Sequence, residues 1–294
     1  MPTGYTTTGA LADSLPTVIA SARQVRENVG VMTNKNVVTV VNLSEGTGTA
    51  WNEISFAKLT AQAVTETTKL ENPQQISDTL FSITPSIIGI HTFITDKVRR
   101  NLAPAAFAKI GGLVQNAVQR KKDIDGTVVL DGATTSLCGA GVTLASGYLS
   151  AAASRIKANA TENGPEPINA VLHGYQMKDI HDELIAGVGT YNVGPGITAS
   201  AFQDGTPKGK IGGVTLYEDN NIAIDSSDDV KGGVFSKEAI VLVQGKVPWI
   251  ETRREPDIGG GGDSLFHYDE YAYGEKSAGN WLYEIYSDAT APTS

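Results

Sequence analysis

At 294 residues, 40% of them hydrophobic, the chain can bury a sizeable core in one or two domains. A formal net charge of −9 excludes a sequence-independent nucleic-acid binder that works by neutralising phosphates, and equally a basic membrane-surface protein. The single cysteine, Cys138, excludes an intramolecular disulfide framework and reads as a small buried apolar residue.

No run approaches the ~18 apolar residues that cross a bilayer. The start, MPTGYTTTGA, lacks the charged and apolar regions of a signal peptide. A cytosolic folding compartment is therefore expected, and the sequons at Asn42 and Asn159 carry little weight. Residues 1–35 are polar and rich in Thr, Ser and Asn, with one weakly apolar stretch over 15–22, and read as an arm that lies over other surfaces. Val37, Val38, Thr39, Val40 and Val41 form a β-branched run, the first strong strand signal.

The most telling stretch runs from Glu45 to Lys122. It begins as a long Thr-rich excursion with few large apolar side chains. Between Asn42 and Asp78 these are Leu43, Trp51, Ile54, Phe56, Leu59, Val64, Leu70 and Ile76, too scattered to build a core of their own. An extended arm ordered against another subunit is the expectation. Glu71, Asn72 and Pro73 supply a turn near its far end. On the return limb Phe81, Ile83, Pro85 and Ile87 alternate with Ser82, Thr84 and Ser86, the period of a half-buried strand. Pro85 cannot donate to a ladder, which predicts an edge strand or a strand end.

Pro104 then opens a helix expected over 104–122, roughly 28 Å long. Phe107, Ile110, Val114, Ala117 and Val118 make one apolar stripe, with Lys109, Gln115, Gln119 and Lys122 off it. Phe107, Ile110 and Val114 are expected to be buried against the sheet that carries Trp249 and the strand after Ser264. Gly111 and Gly112 weaken the helix by about 1 kcal/mol each against alanine, which points to a bend or close packing. Arg120, Lys121 and Lys122 suit a last turn. After Gly126 strands and helices mix: a helix over 145–157, a strand over 168–173, a helix over 175–185, a glycine-rich loop over 187–213, and strands over 214–217, 233–235 and 240–243. A hairpin pairs 249–254 with 264–273 across a flexible tip holding Gly259 to Gly262, and a strand over 280–286 closes the chain. There is no internal repeat and no heptad run.

His173 and His181, with Asp179, Asp182 and Glu183 nearby, are the residues on which a soluble metal-dependent hydrolase could be built. One histidine ends a strand and the other sits within a helix, so a structural role is the favoured reading. Asp225, Ser226, Ser227, Asp228 and Asp229 offer oxygens for calcium but lack the punctuated alternation of a dedicated loop, and read as a solvated turn. No Walker loop, G-x-G-x-x-G after a strand, H-E-x-x-H or G-x-S-x-G is present. The small basic clusters, Arg99-Arg100, Arg120 to Lys122 and Arg253-Arg254, read as ion-pair partners across an interface.

The succession of arm, strand, extended loop, strand, long helix, mixed α/β lobe, late hairpin and closing strand resembles the HK97-fold major capsid proteins of tailed double-stranded DNA bacteriophages. Family-like wording lies in Pro73-Gln74-Gln75 and Ser82-Ile83-Thr84-Pro85, in Ile94-Thr95-Asp96, in Val234 to Ile240, and in Glu251 to Asp257 leading to Tyr271-Ala272-Tyr273-Gly274. The resemblance covers about residues 35–288. It implies an α+β chain with an N-terminal arm at 1–42, an E-loop at 43–82, a P domain at 83–127 and 246–275, and an A domain at 128–245 and 276–294. It further implies hexamers and pentamers tiling an icosahedral shell around double-stranded DNA held without specific binding, in a virion made in the host cytoplasm. No catalysis, cofactor, metal or membrane is implied. Portal and decoration proteins are the further partners, and the short N-terminal region implies a separate scaffold. The acidic charge suits a wall to which packaged DNA does not adhere. An encapsulin-like nanocompartment is the alternative within the fold. The family's covalent cross-link does not transfer, since no motif marks an acceptor for Lys58 or Lys69. Lys58, Lys69, Glu251, Arg253, Arg254, Glu255 and Asp257 are the expected intersubunit contacts. Arg253 and Arg254 face opposite sides of a strand, and at least one is expected to pair with an acid of another subunit.

Overall fold

A computed structural model describes residues 27–43, 48–67, 69, 73–101, 104–187 and 210–292, and of residues 104–110 and 185–187 the backbone alone. Residues 1–26 of the polar arm, the turn at Glu71-Asn72, residues 188–209 of the glycine-rich loop and the side chains of Phe107 and Ile110 lie outside the described residues.

The β-branched run enters the body first. Val37 and Val38 are fully buried, and β1 (Thr39–Asn42) then pairs in parallel with β10 (Ile240–Glu255). Next come β2 (Trp51–Phe56) and β3 (Asp78–Ile83), a two-stranded antiparallel hairpin of their own. The expected alternation through Ile87 fails at Pro85. β3 stops at Ile83 and β4 (Ser86–Thr95) starts in the opposite phase, so Ile87 is 62% exposed while Ile88 packs on the core. With no N–H at Pro85 the ladder ends there, and the register resets. β4 pairs with β11 (Gly262–Glu275), giving a sheet of order β1-β10-β11-β4 in which β4 is an edge, as the proline predicts.

The short α1 (Asp96–Asn101) leads to α2 (Pro104–Asp131), which starts where Pro104 places it but does not stop at Lys122. Its 28 residues span about 42 Å. Val114 and Val118 are buried as expected, but so are Lys122 and Asp123, which rules out a solvated last turn there. Gly126 does not break the helix. A Cβ on Gly126 would lie 2.6 Å from Cβ of Met32 and 3.1 Å from the Tyr273 ring, so the glycine lets the incoming chain cross the helix at contact distance. The turns beyond it bring Leu130 into the main core with Phe235, Ile240, Leu242 and Leu282.

The remaining elements are β5 (Ser136–Cys138), α3 (Ser146–Lys157), β6 (Ile168–Leu172), α4 (Gly174–Gly187), β7 (Lys210–Ile211), β8 (Val214–Glu218), β9 (Asp229–Ser236) and β12 (Leu282–Asp288). They form a second sheet of order β5-β12-β9-β6-β8-β7, with Leu149 and Ile156 of α3 and Ile180 of α4 packed on Ile168, Leu172, Val234 and Ile285. β6 is buried along its whole length, as a strand covered on both faces must be. The two strands expected at 240–243 and 249–254 are one strand of 16 residues. Register shifts between Gln244 and Lys246 and between Lys246 and Trp249 bend it, where a sequence containing Gly245 and Pro248 reads as an interruption.

Candidate assembly surfaces

The β2–β3 hairpin has two chemically different faces. Toward the body, Trp51 meets Phe81 edge to face with centroids 6.0 Å apart, and Ile83 packs with Val241 and Val243. Glu53 on the same face pairs with Lys276. The other face carries Ile54 and Leu80, directly opposite each other in the ladder, and Phe56 beyond them. They are 55%, 62% and 71% exposed. Farther out, Ala57 N–H donates to Ser77 O at 3.0 Å and Thr60 N–H to Gln74 Oε1 at 2.8 Å, so the limbs stay paired past the strands. Leu59, Val64 and Ile76 are exposed there. Lys58 donates to Ala160 O of its own chain at 3.2 Å, and Lys69 is exposed near the far end.

At the other extremity the turn between β10 and β11 is held by ion pairs. Arg254 forks onto Asp96, with Nη1 2.7 Å from Oδ1 and Nη2 on Oδ2, and also reaches Asp263; Arg99 meets Asp263 at 2.6 Å. The guanidinium holds the Asp96 carboxyl below its usual range. Gly261 has φ +100, and a Cβ there would lie 2.7 Å from Nη2 of Arg254, so glycine is required for the fork to close. Gly261 N–H donates to Ile258 O and Asp96 N–H to Gly261 O, both at 2.9 Å, so the tip expected to be flexible is a tied turn. Arg253 points the other way, with its side chain 73% exposed and Nε 3.7 Å from Glu255 Oε1. Glu251 accepts from the Trp249 indole at 3.1 Å, and Asp257 is exposed. Of the two arginines, Arg254 is committed to its own body and Arg253 is turned to solvent.

Of the other candidate ligands, His173, Asp179, Glu183 and Asp225 serve the fold. His173 is buried, which lowers its pKa, and its Nδ1 accepts from Tyr175 N–H at 3.2 Å. Asp179 accepts from Leu144 N–H at 3.1 Å, and Glu183 accepts from Ser146 N–H at 2.6 Å and from its hydroxyl at 3.1 Å. These acids organise the start of α3. Among the described residues no three of His, Cys, Asp and Glu converge as a metal site would require. Asp225 closes the acidic turn by accepting from Ser227 N–H at 2.8 Å and Asp229 N–H at 3.0 Å. Cys138 departs from expectation: it is only half-buried, at φ 72, with burial still raising its thiol pKa.

One pair is missing from the sequence reading. Lys122 Nζ lies 2.6 Å from Asp269 Oδ2, the two side chains 5% and 0% exposed, with the ammonium 4.8 Å from the Tyr271 ring centre. The Tyr271 hydroxyl in turn donates to Asp125 at 2.8 Å. A signal existed: Lys122 follows Val114 and Val118 at four-residue spacing, so the face that buries the valines carries the lysine with it.

No family model and no curated protein matches the chain. Solved structures do. Against the capsid of cyanophage P-SCSP1u the TM-score is 0.70 at 13% identity, over 97% of this chain and 96% of that one. Against Mycobacterium phage Che8 it is 0.71 at 16%, over 92% and 96%. Against the capsid of Ralstonia phage GP4 it is 0.66 at 12%, over 95% and 97%. At such identities the likeness is one of fold, matched from end to end: the chain has the HK97-like α+β fold of phage capsid proteins.

Proposed function

We propose that the chain is a major capsid protein that assembles into hexamers and pentamers of an icosahedral phage head around double-stranded DNA. The observation that carries this beyond fold is the hairpin whose outer face leaves Ile54, Phe56 and Leu80 more than half exposed, uncovered by the described residues of its own body. An apolar face on a projecting arm needs a covering surface, and a neighbouring copy supplies one. The sheet β1-β10-β11-β4 with α2 serves as the P domain, the six-stranded sheet with α3 and α4 as the A domain, and residues 43–82 as the E-loop. The protein works by geometry in the virion rather than by catalysis. Portal, scaffold and decoration proteins are its further partners, and the net charge of −9 keeps the wall from binding the DNA it encloses. Of the acids of the hydrolase alternative, Asp179 and Glu183 are taken up by the hydrogen bonds that start α3, and Asp182 pairs with Lys178.

Expression of the full chain followed by sedimentation and negative-stain electron microscopy tests the reading. Closed shells filled with DNA, or competent to be filled, are expected. Shells that co-purify with a protein cargo point instead to a nanocompartment, and a permanent 30.9 kDa monomer overturns both. Deleting residues 65–77 is expected to leave a folded chain that no longer assembles; normal shells from that variant would remove the arm from the interface.

Arg253, with Glu251, Glu255 and Asp257 beside it, is the charged surface left for another copy. Arg253→Glu is therefore expected to lower particle yield at low salt without changing the melting temperature of the unassembled subunit. The same reversal at Arg254 should disturb both, since that residue fastens its own hairpin to α1. Identical behaviour of the two variants would contradict this division of labour.

A further inference from the structure

Where the chain crosses the long helix, two carboxyl groups lie buried together. Asp123 of α2 and Asp219, just after β8, are 1% and 0% exposed. Met32 N–H donates to Asp123 Oδ1 at 2.9 Å and Val31 N–H to Asp219 Oδ2 at 3.3 Å. Asn221 joins the pair, giving its side-chain amide to Asp123 Oδ2 at 2.8 Å and its backbone N–H to Asp219 Oδ1 at 2.9 Å. A Cβ on Gly30 would sit 2.4 Å from Cγ of Asp123, so the backbone lies directly on the carboxyl.

Every one of these donors is neutral. The charged groups on the surrounding elements are engaged elsewhere: on α2, Lys122 with Asp269, Lys121 with Asp125 and Arg120 with Glu27. Beside Asp219, Glu218 accepts from Asn220 at 2.9 Å, and His173 is the buried histidine near Glu218. From β11, the Tyr273 hydroxyl reaches Met32 O at 3.3 Å, and its phenol is held neutral by burial and by the charge of Asp123. Among the described residues no cation compensates a second negative charge, and two carboxylates cannot both ionise cheaply in such a site.

We propose that Asp123 and Asp219 form a proton-locked clasp that fastens the chain at Val31 and Met32 to the long helix and to the A-domain loop, and that opens as pH rises. The proton resides on Asp219, whose pKa burial and the neighbouring Asp123 raise from 3.8 to about 7. The sign follows from linkage. A carboxyl with a raised pKa in the closed state makes closure most favourable below about 4, progressively less so up to about 7, and no worse beyond. The root of the N-terminal arm is then fixed most firmly in acid and loosened above neutrality, where the contacts of Glu27 with Arg120, of Asn28 with Asn220 and of Met32 O with Tyr273 remain.

The test is amide hydrogen exchange of Val31 and Met32 in the unassembled full chain, corrected for the intrinsic pH dependence of exchange. For a shift from 3.8 to about 7 the opening constant should rise about fifty-fold between pH 5 and 7, and only about two-fold more by pH 9. Asp219→Asn or Asp123→Asn should flatten that profile. Protection that does not change with pH in the native chain, or that changes equally in a folded variant, overturns the clasp. Should neither variant fold, the carboxyl carbon shift of Asp219 in the native chain decides: titration near 7 supports it, and titration near 3.8 refutes it.

Discussion

Lys122→Met is expected to be among the most destabilising single substitutions in this protein, at about 3–5 kcal/mol. The methionine fills much of the lysine's volume, so a cavity is not the cause. What it removes is the only charge among the described residues paired with Asp269, a carboxyl 0% exposed on the face of β11 that meets α2, left with Glu270 N–H at 2.9 Å. A buried carboxylate stripped of its partner must either stay charged in a poor medium or take up a proton, and both cost free energy. Against a total stability of about 5–15 kcal/mol this is a large fraction. Urea denaturation should show a lower midpoint with an unchanged slope. Adding Asp269→Leu should restore most of the loss, because replacing both members of a buried pair by apolar groups of similar size is often neutral or favourable. A loss below about 1 kcal/mol in the single variant would mean that the ammonium is not needed where it sits.

That pair marks the limit of what the sequence discloses. Local chemistry was legible where one residue decides it. Pro104 announces the helix start, Pro85 announces an edge, and the sparse apolar residues from Asn42 to Asp78 announce an arm with no core. The order of elements suffices for the fold. Misreadings arose wherever a distant segment supplies what a residue lacks alone. The helix expected to end at Lys122 runs on through Gly126, where the absent side chain makes room for Met32. Gly245 and Pro248 read as breaks until β11 is seen to run alongside both. Arg253 and Arg254 are alike in sequence, and it is chiefly Asp96, 158 positions away, that separates their roles. Asp123 and Asp219 are nearly a hundred residues apart, and no periodicity brings one to the other.

The arm yields the largest expected effect on assembly. Changing Ile54, Phe56 and Leu80 together to serine should leave the unassembled subunit folded with its melting temperature nearly unchanged, since all three side chains already face solvent. A two-stranded hairpin is at best marginal by itself in water. Here the body supports mainly its root, through Ile83, Trp51 and the ion pair of Glu53 with Lys276, with Lys58 adding one bond to Ala160 O farther out. Covering the three outer side chains on a neighbouring copy would remove their remaining exposed area, somewhat over half of each, worth about 1–2 kcal/mol apiece. Together they supply about 3–6 kcal/mol per subunit, or roughly 10²- to 10⁴-fold in each contact's equilibrium constant. In the proposed shell every copy would both give and receive such an arm, so the loss would recur at every subunit. Particle yield by sedimentation should therefore collapse while thermal unfolding of the subunit barely moves. Shells formed at normal yield would show that the apolar face is not what holds the copies together, and an equal fall in subunit stability would show that it is covered by its own chain instead.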